Sequence, residues 1–452
     1  MAEAVSTMTQ TVSRLAEEKK YNSVRDVLIT LEPADLAAIF SGLPREQTPL
    51  LFRLLPKDEA ALTFVEMDAD LRESLVKSFS DTEIKLLLDE LYTDDAADIL
   101  DEMPANVVEK ILRQATPEFR KQINEILKFP ENSAGSIMTT EFVTFREPMT
   151  VREAIAEIRR SGVDKETVYT CYVTDDQRHL IGCISAKTLL ISDENKTVGE
   201  LMDPNVVFGM TLDDQEKIAN TIGKYSFLAL PICDKEGRLV GIVTVDDAID
   251  VLQTEATEDI AKMAAVTPVD KPYLRRSVWE LYKARIPWLL LLMVSATLTG
   301  GIISTFEGAL SKMVILTAFI PMLMDTGGNA GGQSSITIIR AISLDEVRFG
   351  DLLKIIWKEF RVSIFAALTL GAANFAKMCI FDRPENIFVS LTVCLTLVVV
   401  VIIAKFIGCT LPMLAKKLGF DPAVMASPFI TTIVDALSLL VYFAIATALL
   451  GL

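Results

Sequence analysis

Histidine is almost missing from this chain, cysteine is sparse, and the long first part has no excess of basic charge. Six cysteines (Cys171, Cys183, Cys233, Cys379, Cys394 and Cys409) show no CxxC spacing, and half sit in apolar C-terminal runs. Neither a zinc site nor a disulfide framework is readable from them. The single histidine, His179, lies in a polar DDQRHL turn and reads as a solvated loop residue rather than a ligand. From residue 286 onward there are 10 acidic and 11 basic side chains, against 51 acidic and 33 basic before it, a net of −18 for the front. So acidic a front argues against nucleic acid, which needs basic patches, and suits cations instead. The N-terminus is polar and rich in Glu and Lys, without the pattern of a signal peptide, so the front is expected to stay in the cytoplasm. The apolar back offers no nucleophile–base pair or metal-protease motif, which argues against a membrane-anchored enzyme. A length of 452 residues suggests about three domains.

What is present begins with the last apolar stretch, residues 422–452, which is 31 residues long and holds one charge, Asp435. A carboxylate in the middle of a spanning helix costs roughly 3 kcal/mol on insertion scales, so it usually faces a water-filled path or a partner inside the bundle. Thr431 and Thr432 lie one helical turn earlier and place hydroxyls on the same face. The competing reading pairs Asp435 with a base such as Lys405, only to hold the bundle together.

Four further spans are expected: 286–306, an uncharged run of 21 residues; 313–339; 362–381, with only Lys377; and 386–404, an uncharged run of 19. Basic residues cluster in the segment before the first span, in a 340–361 loop (Arg340, Arg348, Lys354, Lys358, Arg361) and at Lys416 and Lys417. The remaining loops hold Lys312 and Arg383 only, which puts the N-terminus in the cytoplasm and the C-terminus opposite. The second span carries Asp325 and then Gly327, Gly328, Asn329, Gly331, Gly332 and Gln333. Glycines this dense let helices approach closely, or free carbonyls where a helix loosens. Asn329 and Gln333 share a face, and such oxygen ligands suit a hard cation that keeps its water. Small-residue packing is the plainer alternative.

Residues 1–130 read as short helices broken at Leu43-Pro44, Leu55-Pro56 and Met103-Pro104, stacked like a solenoid with imperfect repeats. If a helix starts at a Thr93 cap, Asp94, Asp98 and Asp101 share one face with Asp95 beside it. Such like charges repel unless a cation or a base sits among them; a solvated acidic face is the alternative.

Residues 131–252 contain a tandem repeat. Ile137-Met138-Thr139 is echoed by Leu201-Met202-Asp203, and each is followed by a strand, a helix (from Val151 and from Asp213), then two strands across a polar turn. Those strands are expected at 170–173 and 180–184, and again at 228–233 and 239–243. The doubled order resembles a pair of CBS domains, which commonly sense adenine nucleotides. In nucleotide-binding members an aspartate for the ribose stands three positions after the closing Ser/Thr. Here the second copy has Asp247 and the first has Thr188, so Asp247 is the one candidate for nucleotide such as ATP. Beyond it, 253–285 reads as a connecting (plug) helix bearing Glu255, Glu258 and Asp259, then a basic stretch before the membrane.

The expected architecture is thus multidomain: an all-α superhelical N-domain (1–130), a tandem CBS pair of α+β type (131–252), a connecting helix (253–285) and a five-helix transmembrane domain (286–452). That order, the GGNAGGQ motif, and Asp421-Pro422 followed by TT-x-x-D ending at Asp435 resemble the MgtE family of magnesium channels. The resemblance covers essentially the whole chain. It implies a homodimer in the cell membrane, with the pore between subunits lined by Gly328, Asn329, Thr431, Thr432 and Asp435. It also implies closure by cytosolic Mg²⁺ at Glu59, Asp94, Asp95, Asp98, Glu216, Asp247, Glu255, Glu258, Asp259 and Asp421. Ser226 departs from the family pattern, standing where an acidic CBS residue would help a site, and Asp325 is an additional carboxylate without an assigned role. A carrier coupled to protons or sodium, with Asp435 as a titrating relay, is the alternative; conductance without a pH gradient would separate the two.

Overall fold

Proline punctuates the first helices as its missing N–H dictates. Pro33 and Pro117 open helices, while Pro56 and Pro104 sit at N-cap positions. The computed structural model of the chain describes residues 2–269, 273–382, 387–425 and 427–451. Arg383 and the expected span start at 386 lie outside them. The chain divides into two units, Met1–Leu252 and Gln253–Leu452.

The first unit begins with ten helices: α1 (Ala2–Glu17), α2 (Tyr21–Leu28), α3 (Pro33–Gly42), α4 (Thr48–Phe52), α5 (Lys57–Val65), α6 (Ala69–Ser78), α7 (Asp81–Leu88), α8 (Thr93–Asp101), α9 (Ala105–Gln114) and α10 (Pro117–Ile126). Their apolar faces form one core through Leu28, Phe40, Leu51, Phe64, Leu75 and Ile84. Within it Phe52 sits 5.9 Å from Phe40, 6.3 Å from Phe64 and 5.6 Å from Phe79, ring centre to ring centre. Ser80 and Glu83 cap α7 reciprocally.

The repeat then builds two like modules. β1 (Thr144–Phe145), α11 (Val151–Ser161), β2 (Thr170–Thr174), β3 (Leu180–Ser185), α12 (Ala186–Ile191) and α13 (Val198–Leu201) form the first. β4 (Gly209–Met210), α14 (Gln215–Tyr225), β5 (Ala229–Cys233), β6 (Leu239–Thr244) and α15 (Val245–Met263) form the second. Each has a three-stranded sheet in sequence order, its first pair parallel and its second antiparallel. The echoed Met motifs have a packing cause. Thr139 N–H donates to Ile242 in the other module's sheet at 2.8 Å, and Cys183 N–H donates to Asp203 at 3.0 Å. Met138 thereby covers Gly241 and Met202 covers Gly182, where any Cβ would strike the sulfur. Each motif closes the opposite sheet, which locks the pair together.

In the second unit follow α16 (Val278–Thr305), α17 (Glu307–Lys312), α18 (Ile320–Ser343), α19 (Leu352–Lys377), α20 (Ile387–Lys417) and α21 (Ser427–Leu450). Among the described residues four helical segments are long and apolar enough to cross a membrane: Val278–Thr305, Phe349–Phe381, Ile387–Lys417 and Pro422–Leu450. The expected span 313–339 is not among them. α18 has the length, 24 residues, or about 36 Å at 1.5 Å per residue, but Asp325, Asn329, Gln333 and its glycines dilute its apolar character. The expected 340–361 loop is also mostly helix: Arg340 ends α18, and Lys354, Lys358 and Arg361 lie on α19.

Candidate functional site

In the second unit α18 packs between α20 and α21, and its glycines permit the approach. A Cβ on Gly327 would meet Val400 at 2.7 Å and Val434 at 2.9 Å, and one on Gly328 would meet the Thr431 methyl at 2.9 Å. A Cβ on Gly408 would collide with the Gly331 carbonyl oxygen, so the α18–α20 crossing is backbone against backbone. The face away from these glycines is polar. Asp325, Asn329 and Gln333, spaced at i, i+4 and i+8, are all exposed.

Asp435 lies on α21 with Oδ1 buried and, among the described residues, without a hydrogen-bond partner. The charge acting on it is that of Asp325. Lys405 is not its partner. The Lys405 ammonium donates to Ser334 Oγ at 3.1 Å and stands 3.6 Å from Glu359 Oε2, while Ser334 Oγ donates to the same carboxylate at 2.7 Å. Thr432 Oγ1 donates to the Pro428 carbonyl oxygen of its own helix at 3.1 Å, and Thr431 turns its methyl toward Gly328. Such a back-bond uses the Thr432 proton and leaves its oxygen on the helical face it shares with Asp435.

Also in the second unit, Glu258, Asp259 and Asp421 come together, with a base between them. Lys262 bridges the Glu258 carboxylate and Asp421 Oδ2, the latter at 2.7 Å. Asp259 accepts from Ser343 Oγ at 3.2 Å. Burial and the nearby Asp421 raise Asp259 above its ordinary range despite the Ser343 bond. Burial works against the Lys262 ammonium, but its bonds to Asp421 and Glu258 hold it above its usual range. Lys262 was readable as the i+4 neighbour of Glu258. Glu255 lies one helical turn earlier on α15.

The first unit holds a second acidic set. Tyr92, not Thr93, is the N-cap of α8. The Thr93 hydroxyl instead donates to Glu141 Oε2 at 2.6 Å, because that carboxylate also gathers Thr139 and Thr140. Asp94 is consequently buried, only 7 % exposed, while Asp98 and Asp101 stay at the surface, so the three do not share one environment. Asp94 is pushed well above the carboxylate range by burial and by Asp247, Asp95 and Glu166. Burial and Asp247 lift Asp95 to about 7, and Asp98, although exposed at the surface, is also raised to about 7 by partial loss of water around its carboxylate and by Asp247, Asp95 and Glu102. Burial raises Asp247 to about 6, although the Thr244 hydroxyl donates to its Oδ2 at 2.5 Å. Glu166 rises to about 8 through burial, Asp95 and Asp247. Sequence reasoning missed Glu166, Glu141 and Asp246, and no local pattern marks them. Among the described residues no three acidic, Cys or His side chains converge closely enough, as placed, to hold a metal ion.

Two expected positions stand apart. Glu59 is on α5, with Oε2 buried and lacking a hydrogen-bond partner among the described residues. Glu216 is in the first turn of α14, its N–H donating to Asp214. Ser226 caps the other end of that helix in the left-handed conformation. For a nucleotide, Thr244 and Asp247 repeat the geometry of Ser185 and Thr188. Only the second pair offers a carboxylate, and Asp94, Asp95 and Asp98 surround it with negative charge that an anionic phosphate would meet.

Three family models match the chain. A divalent cation transporter model covers residues 320–445, the MgtE intracellular N domain covers 31–132, and CBS domains cover 134–193 and 198–254. The chain is 36% identical over 438 residues to the magnesium transporter MgtE of Thermus thermophilus, spanning 96% of both. It is 32% identical over 436 residues to the magnesium transporter MgtE of Bacillus subtilis, spanning 96% of this chain and 95% of that one. A crystal structure of the cytosolic domain of the Mg²⁺ channel MgtE in complex with ATP matches at 35% identity and a TM-score of 0.51, covering 54% of this chain and 99% of that one. The chain belongs to the MgtE family of divalent cation transporters.

Proposed function

We propose that this chain carries Mg²⁺ across the cell membrane past Asp435 and closes when cytosolic Mg²⁺ occupies its acidic sites. The observation that carries the reading is the Asp435 Oδ1 oxygen, buried in the bundle without a hydrogen-bond partner among the described residues, while Lys405 is committed elsewhere. A carboxylate held that way in a membrane needs a cation or water to face. Asp325, Asn329 and Gln333 make a polar stripe that lipid would not solvate, so it suits a water-filled path shared by two copies of the chain. A homodimer with the path between subunits follows from that reading, with Gly328 and Thr431 setting the width at the α18–α21 contact.

The N-terminus is placed in the cytoplasm, with the division into N-domain (1–130), CBS pair (131–252), connecting helix (253–285) and pore domain (286–452). α18 is the fifth span, its polarity explained by the path it lines. Regulatory Mg²⁺ is assigned to Glu59, Asp94, Asp95, Asp98, Glu216 and Asp247, and to Glu255, Glu258, Asp259 and Asp421. Their oxygen donors suit a hard cation that keeps part of its water. ATP at Asp247 remains a secondary assignment, supported by the ATP complex of the related cytosolic domain.

The test is Mg²⁺ flux into liposomes holding the purified protein, without pH or Na⁺ gradients. Asp435→Ala and Asp435→Asn should abolish it, because neither can offset the ion's charge. Normal flux in a well-folded Asp435→Ala protein would overturn the assignment, and flux that demands an imposed gradient would favour a coupled carrier.

A further inference from the structure

Glu166 belongs to no part of the assignment above. It follows the 3-10 turn Gly162–Asp164 in the first CBS module, and its N–H donates to the Glu141 carbonyl oxygen at 2.9 Å. That bond fixes the segment beside the carboxylate that orients Thr93 at the start of α8. Glu166 Oε2 is buried and has no hydrogen-bond partner among the described residues. The same holds for Oδ1 of Asp94, whose side chain is 93 % buried and faces Asp247, Asp95 and Glu166. The charges that act on Glu166 are those of Asp95, Asp247, Asp246 and Glu141. The base that acts on Asp95 and Asp98, Arg72, is already paired with Glu102.

Carboxylates from three segments thus face one another: α8, the turn of the first CBS module, and the first turn of α15. Buried oxygens left without donors are costly, and two remedies exist, a proton or a cation. Every donor is a hard oxygen, which fits a small divalent ion.

We infer that Glu166 is a further ligand of the cation taken up by this acidic set, contributed by the first CBS module. One ion would then tie α8, the first module and the start of α15 together, where the ligands assigned above to this acidic set, Asp94, Asp95, Asp98 and Asp247, come from α8 and α15 alone. The carboxylates do not converge as placed, so binding draws their side chains inward. Mg²⁺ keeps several of its waters, and a carboxylate can reach it through one of them.

The inference rests on the reading that cytosolic Mg²⁺ binds this region, and the experiment separates the two. The full-length protein in detergent is titrated with MgCl₂, and protease protection of residues 1–252 is followed. Glu166→Gln keeps the shape but removes the charge and turns one acceptor oxygen into a donor. Its midpoint for protection should rise on the order of tenfold, the equivalent of about 1.4 kcal/mol. Glu166→Asp, charged but shorter, should fall between that variant and the parent. A midpoint unchanged in Glu166→Gln, in a set where Asp94→Asn does raise it, overturns the role of Glu166 and leaves Mg²⁺ binding standing. Absence of any Mg²⁺-dependent protection in the parent chain overturns both.

Discussion

Replacing Lys405 by methionine tests whether the buried triad between α18, α19 and α20 is an ion pair that the bundle depends on. Met fills nearly the same volume and removes only the charge. Both ends are well covered, with the Lys405 side chain 10% exposed and that of Glu359 16%. Removing one partner leaves the other charge buried with a single hydroxyl donor, Ser334. Breaking a buried pair in this way costs roughly 3–5 kcal/mol, mostly the penalty on the stranded charge. The double variant Lys405→Met with Glu359→Gln strands nothing. It should therefore be less destabilised than Lys405→Met alone, with a coupling of about 2 kcal/mol or more. All three tryptophans, Trp279, Trp288 and Trp357, lie in the second unit, so unfolding followed by their fluorescence reports this bundle rather than the soluble helices. A Lys405→Met loss below about 0.5 kcal/mol, or strict additivity in the double variant, would refute the reasoning.

Gly408→Ala should separate α18 from α20 and sharply reduce both thermal stability and Mg²⁺ flux, because the added methyl meets the Gly331 backbone. Gly300→Ala, with nothing within 4 Å, is the matched control and should be near neutral in both assays. The acidic set of the first unit gives a pH dependence. Asp247 at about 6, Asp95 and Asp98 at about 7, and Glu166 at about 8 hold protons that the unfolded chain releases near pH 4. Between those limits the native state binds more protons, so in EDTA the soluble helices should lose stability as pH rises from about 4 to 8. Amide exchange in that region at pH 5 and pH 8, corrected for intrinsic rates, measures it; a flat or opposite trend would count against the cluster, and Mg²⁺ should reduce the slope.

The repeat was legible because its signals are local. The expected strands 170–173 and 239–243 fall within a residue of β2 and β6, since apolar runs between Asp/Gly turns fix both ends. The recurring Met-Thr and Met-Asp motifs were visible too, but not their cause. Met138 covers Gly241, 103 residues further on, and Met202 covers Gly182, 20 residues back, contacts that no local pattern encodes. The acidic residues of α8 were equally visible, whereas their surroundings were not. Thr93 looked like a cap and is instead drawn to Glu141, a choice made by tertiary packing over local propensity. Glu166 carries no sequence signal, because its importance comes from what α8 and α15 bring to it.

With α18 as the proposed fifth span, apolar content alone undercounts the spans of such a protein. The middle of its buried face, from Gly327 to Ser335, is glycine, alanine and serine, which pack tightly but add little hydrophobicity, and Asp325, Asn329 and Gln333 are exposed along the same stretch. Neither face resembles the exposed side of α16, which carries Leu289, Leu290, Met293 and Leu298. A helix that touches other helices on one side and a water-filled path on the other has no reason to be apolar all round. The same two-sidedness explains Asp435. On a lipid-facing helix its charge would be an unbalanced cost, while on the proposed path it would offer negative charge to a passing cation that keeps part of its water.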